Sequence, residues 1–226
     1  MQPLDVLLVA AFDPELAPFV AATAPAARSG LTSGLARLGS QTVAVRAVGV
    51  GMPAAAAGAA TAIAELAPRL VVLVGTCGAY RASGLAIGDV VVADGVRVAD
   101  GFAVEGRAEF PAPMVTALAS DPRPRTELVA RGARSVDVAT TLGITVDDAS
   151  AARIAQGTQA QVEHLEAFGV AHACAVRGVP FAAVLGVANF VGTGAREEWR
   201  TNHHAASAAV ARCILQWLEG SACIMQ

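Results

Sequence analysis

Four places in this chain gather side chains that can hold or move a proton. Asp13 and Glu15 follow a first apolar run, and Gly75-Thr76-Cys77-Gly78 follows the run Leu70–Val74. Glu163 and Glu166 lie between a short strand pattern and a helical one, and Asn189 closes a last apolar run. In open α/β sheets, ligands bind beyond the carboxyl ends of the strands, where all four places fall. Each also has a purely architectural use. Aspartate before proline is a common helix N-cap arrangement, GTCG serves equally as a strand-to-loop turn, the two glutamates suit the positive end of a helix dipole, and Asn189 suits a turn. Asp147-Asp148 would be half a metal site, but no histidine or third acid is near in sequence, so the pair reads as a helix N-cap. His203-His204 reads as a solvated helix face, and His172 as a helix-packing histidine.

The elements that must carry these residues alternate in type. Short apolar runs bounded by glycine or proline give way to longer helical patterns, the signature of βαβ units around a mostly buried sheet. Strands are expected at Leu4–Ala10, Thr42–Val48, Leu70–Val74, Asp89–Ala93, Gly95–Val98, Val136–Val146, Ala160–Glu163 and Pro180–Ala188. Helices are expected from the Phe12-Asp13-Pro14 turn to about Val20, over Pro53–Leu66, Glu166–Arg177 and Ala195–Leu218. Pro111, Pro113, Pro122 and Pro124 break up the stretch Gly101–Arg134, where only Met114–Ala119 looks helical and a flap, subunit contact or mobile region is expected. No repeat or linker divides the chain. The expected fold is a single α/β domain over residues 1–226, with a central mixed, mostly buried β-sheet flanked by helices.

Composition narrows the chemistry. The chain has 226 residues, 54% of them hydrophobic, and a net charge of −3. All 16 basic residues are arginine, so no lysine is available for a Schiff base or for a P-loop. The mildly acidic balance and scattered arginines argue against nucleic acid as a partner. Cys77, Cys174, Cys213 and Cys223 form no CxxC pair, which fits free thiols in a reducing cytoplasm rather than a zinc site or disulfide framework. The N-terminal segment reads as a buried strand, not a signal peptide, and the longest uncharged stretch, Ala47–Ala64, holds three glycines and Pro53, which makes a membrane span unfavourable.

Order and spacing say more than any one residue. Val162-Glu-His-Leu-Glu166, followed by Gly186-Val-Ala-Asn-Phe-Val-Gly192, resembles the purine nucleoside phosphorylase and nucleosidase superfamily. Ala11-Phe-Asp-Pro-Glu15, Gly49-Val-Gly-Met-Pro-Ala-Ala-Ala, and Gly75-Thr-Cys-Gly78 with Gly88-Asp89-Val-Val-Val match its other blocks in order. Within it, Asn189-Phe-Val-Gly with Arg196-Glu-Glu-Trp199, and the spacing of Glu163-His164-Leu165-Glu166, resemble futalosine hydrolase. Methylthioadenosine/S-adenosylhomocysteine nucleosidases carry aspartate at the position of Asn189.

The resemblance implies hydrolysis of an N-glycosidic bond through an oxocarbenium-like transition state. It implies a cytoplasmic homo-oligomer, dimer or higher, that uses no metal or cofactor and acts on a small nucleoside with water as nucleophile. Glu15 would orient or deprotonate that water, with Thr76 lining the water side. Glu166 would bind the ribose hydroxyls, Glu163 would share the sugar-binding segment, and Leu165 would pack on the ribose face. Phe190, Val146 and Ile144 are candidates for a flat purine slot, and Arg196 either meets a carboxylate on the 5′ side or makes a surface ion pair. An amide at 189 suits the O6 and N7–H of leaving hypoxanthine better than adenine. In the hexameric phosphorylases, arginines that hold phosphate fall where this chain has Leu73 and, near the first turn, Leu16, so water is the expected nucleophile. The chain departs from the pattern at Ala188 (usually serine), Leu185 (often arginine) and His164-Leu165 (asparagine–methionine), and the alternatives to a futalosine hydrolase are a purine nucleoside phosphorylase, an adenine-releasing methylthioadenosine/S-adenosylhomocysteine-type nucleosidase, or a relic that binds a nucleoside without cleaving it.

Overall fold

The computed structural model describes residues 4–27 and 35–220. A nine-stranded mixed sheet runs through it. Strand β1 (Val6–Ala10) pairs in parallel with β3 (Gln41–Ala47) on one side and with β4 (Leu70–Ala79) on the other, and β2 (Leu35–Leu38) adds an antiparallel edge to β3. Beyond β4 the sheet divides. Strand β9 (Phe181–Phe190) runs parallel to β4 and antiparallel to β5 (Val90–Val98). Strand β7 (Arg134–Thr140) joins β5 to β8 (Val162–His164), and β8 turns back antiparallel onto the end of β4. Five strands thus close a ring, a step that neither apolar runs nor their spacing announce. Strand β6 (Ala117–Ala119) pairs antiparallel on the outer side of β5.

Helices cover both faces. Helix α2 (Met52–Leu66) packs on α6 (Ala167–Arg177), where a Cβ at Gly169 would come within 2.5 Å of the Met52 carbonyl oxygen. Helix α7 (Ala195–Gly220) lies along β9, and a Cβ at Gly186 would meet the Ala206 carbonyl at 2.6 Å. Helix α1 (Asp13–Ala27) and α7 enclose a second apolar cluster with Val6, Leu8, Phe19, Ile214 and Trp217. Such contacts explain the small-residue composition: backbone approaches backbone wherever glycine or alanine allows it.

Several expected elements shift. The GTCG block is not a turn after a strand but the continuation of β4, with a register shift between Cys77 and Gly78. Asp89–Ala93 and Gly95–Val98 form one strand, irregular between Ala93 and Gly95. Met114–Ala119 is not helical; its end pairs as β6, while a one-turn α3 (Gly101–Val104) and α4 (Pro122–Val129) supply helix in the proline-broken stretch. Pro122 sits in the first turn of α4, where its missing N–H costs nothing, and Asp121 caps it. The strand expected over Val136–Val146 stops at Thr140. Asp147 caps α5 (Asp148–Thr158) by accepting from Ser150 N–H, as expected. His172 is exposed, tilted against the ring of Phe168, rather than packed between helices. Cys77, Cys174 and Cys213 are free thiols, and Cys223 lies outside the described residues. No helix of the described residues is long and apolar enough to cross a membrane.

Candidate active site

The end of β4 builds the site because it runs between two other strands. Gly78 stands opposite Glu163 of β8 on one side and Asn189 of β9 on the other. A Cβ at Gly78 would lie 2.9 Å from both Asn189 Nδ2 and Val191 Cγ2, so glycine lets the three strand ends converge. They border a cavity of about 430 Å³. Of the residues expected at a site, Glu15, Thr76, Ile144, Glu163, Leu165, Glu166, Asn189 and Arg196 line it.

Glu15 enters from the start of α1. Its Oε1 accepts from both the backbone N–H and the hydroxyl of Thr76, each at 3.1 Å. Its Oε2 is buried and has no hydrogen-bond partner. Burial pushes the carboxyl up from 4.5 to about 7; the Thr76 bonds and a weaker approach of the Ala11 backbone N–H pull against this, and the charge of Glu166 adds to it. Gly75 makes the approach possible, since a Cβ there would stand 3.0 Å from Oε1 and 3.1 Å from Oε2.

Glu166, at the start of α6, accepts from the Gly51 N–H at 2.7 Å through Oε1. Gly51 holds a φ of +86° just before α2, a conformation that glycine adopts freely and that turns its N–H toward the glutamate. The N–H groups of Glu166 and Ala167 both point at His164 Nδ1, at 3.1 and 3.2 Å. That nitrogen therefore carries the lone pair, and the ring proton sits on Nε2. Its 3.2 Å contact with Glu166 Oε2 is two acceptors gathered at the positive end of a helix, not an ion pair. Burial lowers the His164 pKa in the same sense. His164 thus caps α6.

Glu163 has another occupation. Its Oε1 accepts from Thr145 N–H at 3.0 Å, and its Oε2 accepts from the Thr145 hydroxyl at 2.6 Å and the Tyr80 hydroxyl at 3.2 Å. Burial raises its pKa while these bonds lower it. Both oxygens are committed to the protein, so Glu163 clasps the 141–146 loop against the cavity instead of presenting a carboxylate to a sugar.

Two expected slot residues are elsewhere. Asn189 and Val191 face the cavity, so Phe190 points to the opposite side by strand alternation, where its ring lies under the Arg81 guanidinium at 5.4 Å. Val146 is 63% exposed and outside the cavity lining, because the chain there already turns away into the cap of α5. Ile144 alone of the three borders the cavity. Asn189 is buried and donates from Nδ2 to the Phe190 carbonyl at 2.9 Å. Arg196 is exposed at the rim and makes no ion pair with the described residues.

Sequence reasoning missed Phe12, Val50, Thr145 and Trp199 as lining residues. Trp199 closes the Arg196-Glu-Glu-Trp199 block and shares a helix face with Arg196 at i+3, two signals that would have placed it at the site. His203, expected to be solvated, stacks on Trp199 with centroids 4.2 Å apart.

The phosphorylase superfamily model matches residues 5–219 of the chain. The chain belongs to the phosphorylase superfamily. No curated protein matches it by sequence. Among solved structures it is similar to an S-adenosylhomocysteine nucleosidase from Streptococcus pyogenes, with a TM-score of 0.84, 20% identity and 99% of each chain covered. A 5′-methylthioadenosine/S-adenosylhomocysteine nucleosidase from Neisseria meningitidis gives 0.82 and 19%, covering 96% of this chain and 99% of the other. A futalosine hydrolase mutant of Helicobacter pylori gives 0.81 and 14%, covering 96% and 100%. Superfamily membership agrees with the resemblance read from the motifs, and these likenesses establish the fold.

Proposed function

We propose that this chain hydrolyses the N-glycosidic bond of futalosine, or of a related 6-oxopurine nucleoside, to release hypoxanthine, a step of menaquinone biosynthesis. The observation that carries this reading is the state of Glu15: one oxygen anchored twice by Thr76, the other buried without a hydrogen-bond partner, on a side chain that borders a cavity large enough for a nucleoside. With a pKa near 7, the carboxylate is a base matched to neutral pH. It takes a proton from water as the water oxygen bonds to the anomeric carbon. The C–N bond breaks, the leaving base takes its N7 proton from solvent, and Glu15 returns the proton it took from water to solvent, so one water is consumed overall.

Asn189 supports a 6-oxopurine. The Phe190 carbonyl can only accept, so the amide nitrogen must face it, and Oδ1 remains to accept from N7–H. The second Nδ2 proton is left for O6. Glu166 would take the ribose hydroxyls through Oε2, with Leu165 against the ribose face, Ile144 on the base, and Arg196 toward an anionic 5′ group. Water is favoured over phosphate because Leu73 and Leu16, where phosphate-binding arginines would fall, are sealed in the core. Leu142, Ile144 and Val146 expose 72%, 50% and 63% of their surface on one loop, an apolar face that suits the homo-oligomer expected.

Incubation with futalosine, inosine and methylthioadenosine, with and without phosphate, followed by assay of free base, tests the reading. Hypoxanthine from futalosine without phosphate is the expected outcome. Release only with phosphate, or of adenine alone, contradicts it. Asn189→Asp shifts the preference toward adenine nucleosides; an unaltered preference removes Asn189 from base recognition.

A further inference from the structure

The mechanism leaves one polar contact in the cavity unused. Trp199 Nε1 donates to Thr76 Oγ1 at 3.0 Å, joining the first turns of α7 to the middle of β4 across 123 residues of sequence. We propose that Trp199 is a positioning residue: it fixes the direction of a hydrogen-bond relay through Thr76 into Glu15, and so selects Oε2 as the oxygen that exchanges a proton with water. This role rests on Glu15 being the proton-handling carboxylate.

The direction follows from donor counting. An indole N–H can only donate, and a threonine hydroxyl has one proton and two lone pairs. With one lone pair taken by Trp199, the single Thr76 proton goes to Glu15 Oε1, 3.1 Å away. The Thr76 backbone N–H ends on the same oxygen. Two donors on Oε1 and none on Oε2 make the two carboxylate oxygens unequal, and the proton of the acid form belongs on Oε2. A donor on Thr76 also polarises its hydroxyl, making it a stronger donor to the carboxylate.

The indole is itself held in place. Glu198 accepts from the Phe190 N–H at 2.7 Å, and Asn202 donates to the carbonyls of Ala188 and Glu198, which ties this part of α7 to the end of β9. His203 stacks on the ring from the next turn at an angle of 15°. Other ionisable groups bordering the cavity are Cys77 on β4, whose thiol burial keeps protonated, Glu166 and His164 at the start of α6, Glu163 on β8, and Arg196 and Arg200 on α7. None of them donates to Thr76 or to Glu15.

Carbon-13 NMR of the Glu15 carboxyl and nitrogen-15 NMR of the indoles test this without any substrate, and hence independently of whether the chain cleaves nucleosides. In the wild type, the Trp199 indole N–H signal follows the Glu15 titration with the same midpoint; a signal flat through that range overturns the relay. In Trp199→Phe, the Glu15 midpoint rises by roughly 0.5 unit. Once substrate is turned over, the acid limb of kcat/KM moves with it. Thr76→Val raises the midpoint, and adding Trp199→Phe to it changes nothing more. An unmoved midpoint in folded Trp199→Phe, or shifts that add in the double variant, overturns the proposal. A loss of kcat/KM equal at every pH would mark Trp199 as a wall of the cavity only, and overturns it too.

Discussion

Glu15 stands on one side of the cavity, where α1 meets β4, and Glu163 stands on the other, at β8. Each is 6% exposed, and burial raises the pKa of both. Their difference lies in hydrogen-bond valence. Three donors from Thr145 and Tyr80 fill both oxygens of Glu163, whereas Glu15 receives two donors on Oε1 and keeps Oε2 bare. A buried carboxylate with both oxygens engaged is a fastener; one with an oxygen left over costs stability and is available for chemistry. Burial alone does not separate the two roles, and neither does sequence.

The largest way to break this contrast is Glu15→Gln. Turnover falls by about 10²–10⁴-fold, the usual worth of a positioned base, while nucleoside binding persists in calorimetry. Stability moves the other way. A carboxyl whose pKa rises from 4.5 unfolded to about 7 folded binds more protons in the folded state, so its contribution is fully present below pH 4.5 and lost as pH climbs to about 7. Glu15→Gln removes that loss. It should be more stable than the wild type at pH 8 by up to about 3 kcal/mol, with the gain vanishing near pH 4.5 in urea titrations.

Gly75→Ala comes next. Its methyl would stand 3.0 Å from Oε1 and 3.1 Å from Oε2, so the carboxylate must give way and its bonds from Thr76 lengthen. Turnover falls by roughly 10-fold or more, as for a misplacement of less than about 1 Å, with a small change in KM. Retained kcat would show that the carboxylate tolerates displacement.

Glu163→Gln is the smallest. The amide keeps one acceptor for Thr145 N–H, and the two hydroxyls can turn to accept from its nitrogen. Melting temperature drops by the equivalent of about 1 kcal/mol, and KM rises as the 141–146 loop loosens, with kcat within about tenfold of the wild type. A loss of kcat as large as that of Glu15→Gln would erase the distinction between the two carboxylates.

Much of this was legible in the sequence, for physical reasons. Apolar runs bounded by glycine and proline located the central strands, and Glu15, Thr76, Glu166 and Asn189 could be picked out because they sit at or near strand ends. What escaped were features set by contacts distant in sequence. The GTCG block reads as a turn until its glycines are seen making room for Glu15 and Asn189 inside a strand. The three-residue β6 exists only because β5 offers it an edge. Phe190 looked like a base-stacking ring, yet its neighbour Asn189 already claimed the cavity side of the strand. The contact between Trp199 and Thr76 has no local signature.

The central claim is that a buried carboxylate with one unengaged oxygen handles the proton of the attacking water. The pH dependence of kcat/KM for the proposed hydrolysis by the wild type tests it most directly. An acid limb with its midpoint near pH 7, absent in Glu15→Gln, is the predicted result. A limb near the ordinary carboxylate value of about 4.5, or one that survives in Glu15→Gln, would contradict it.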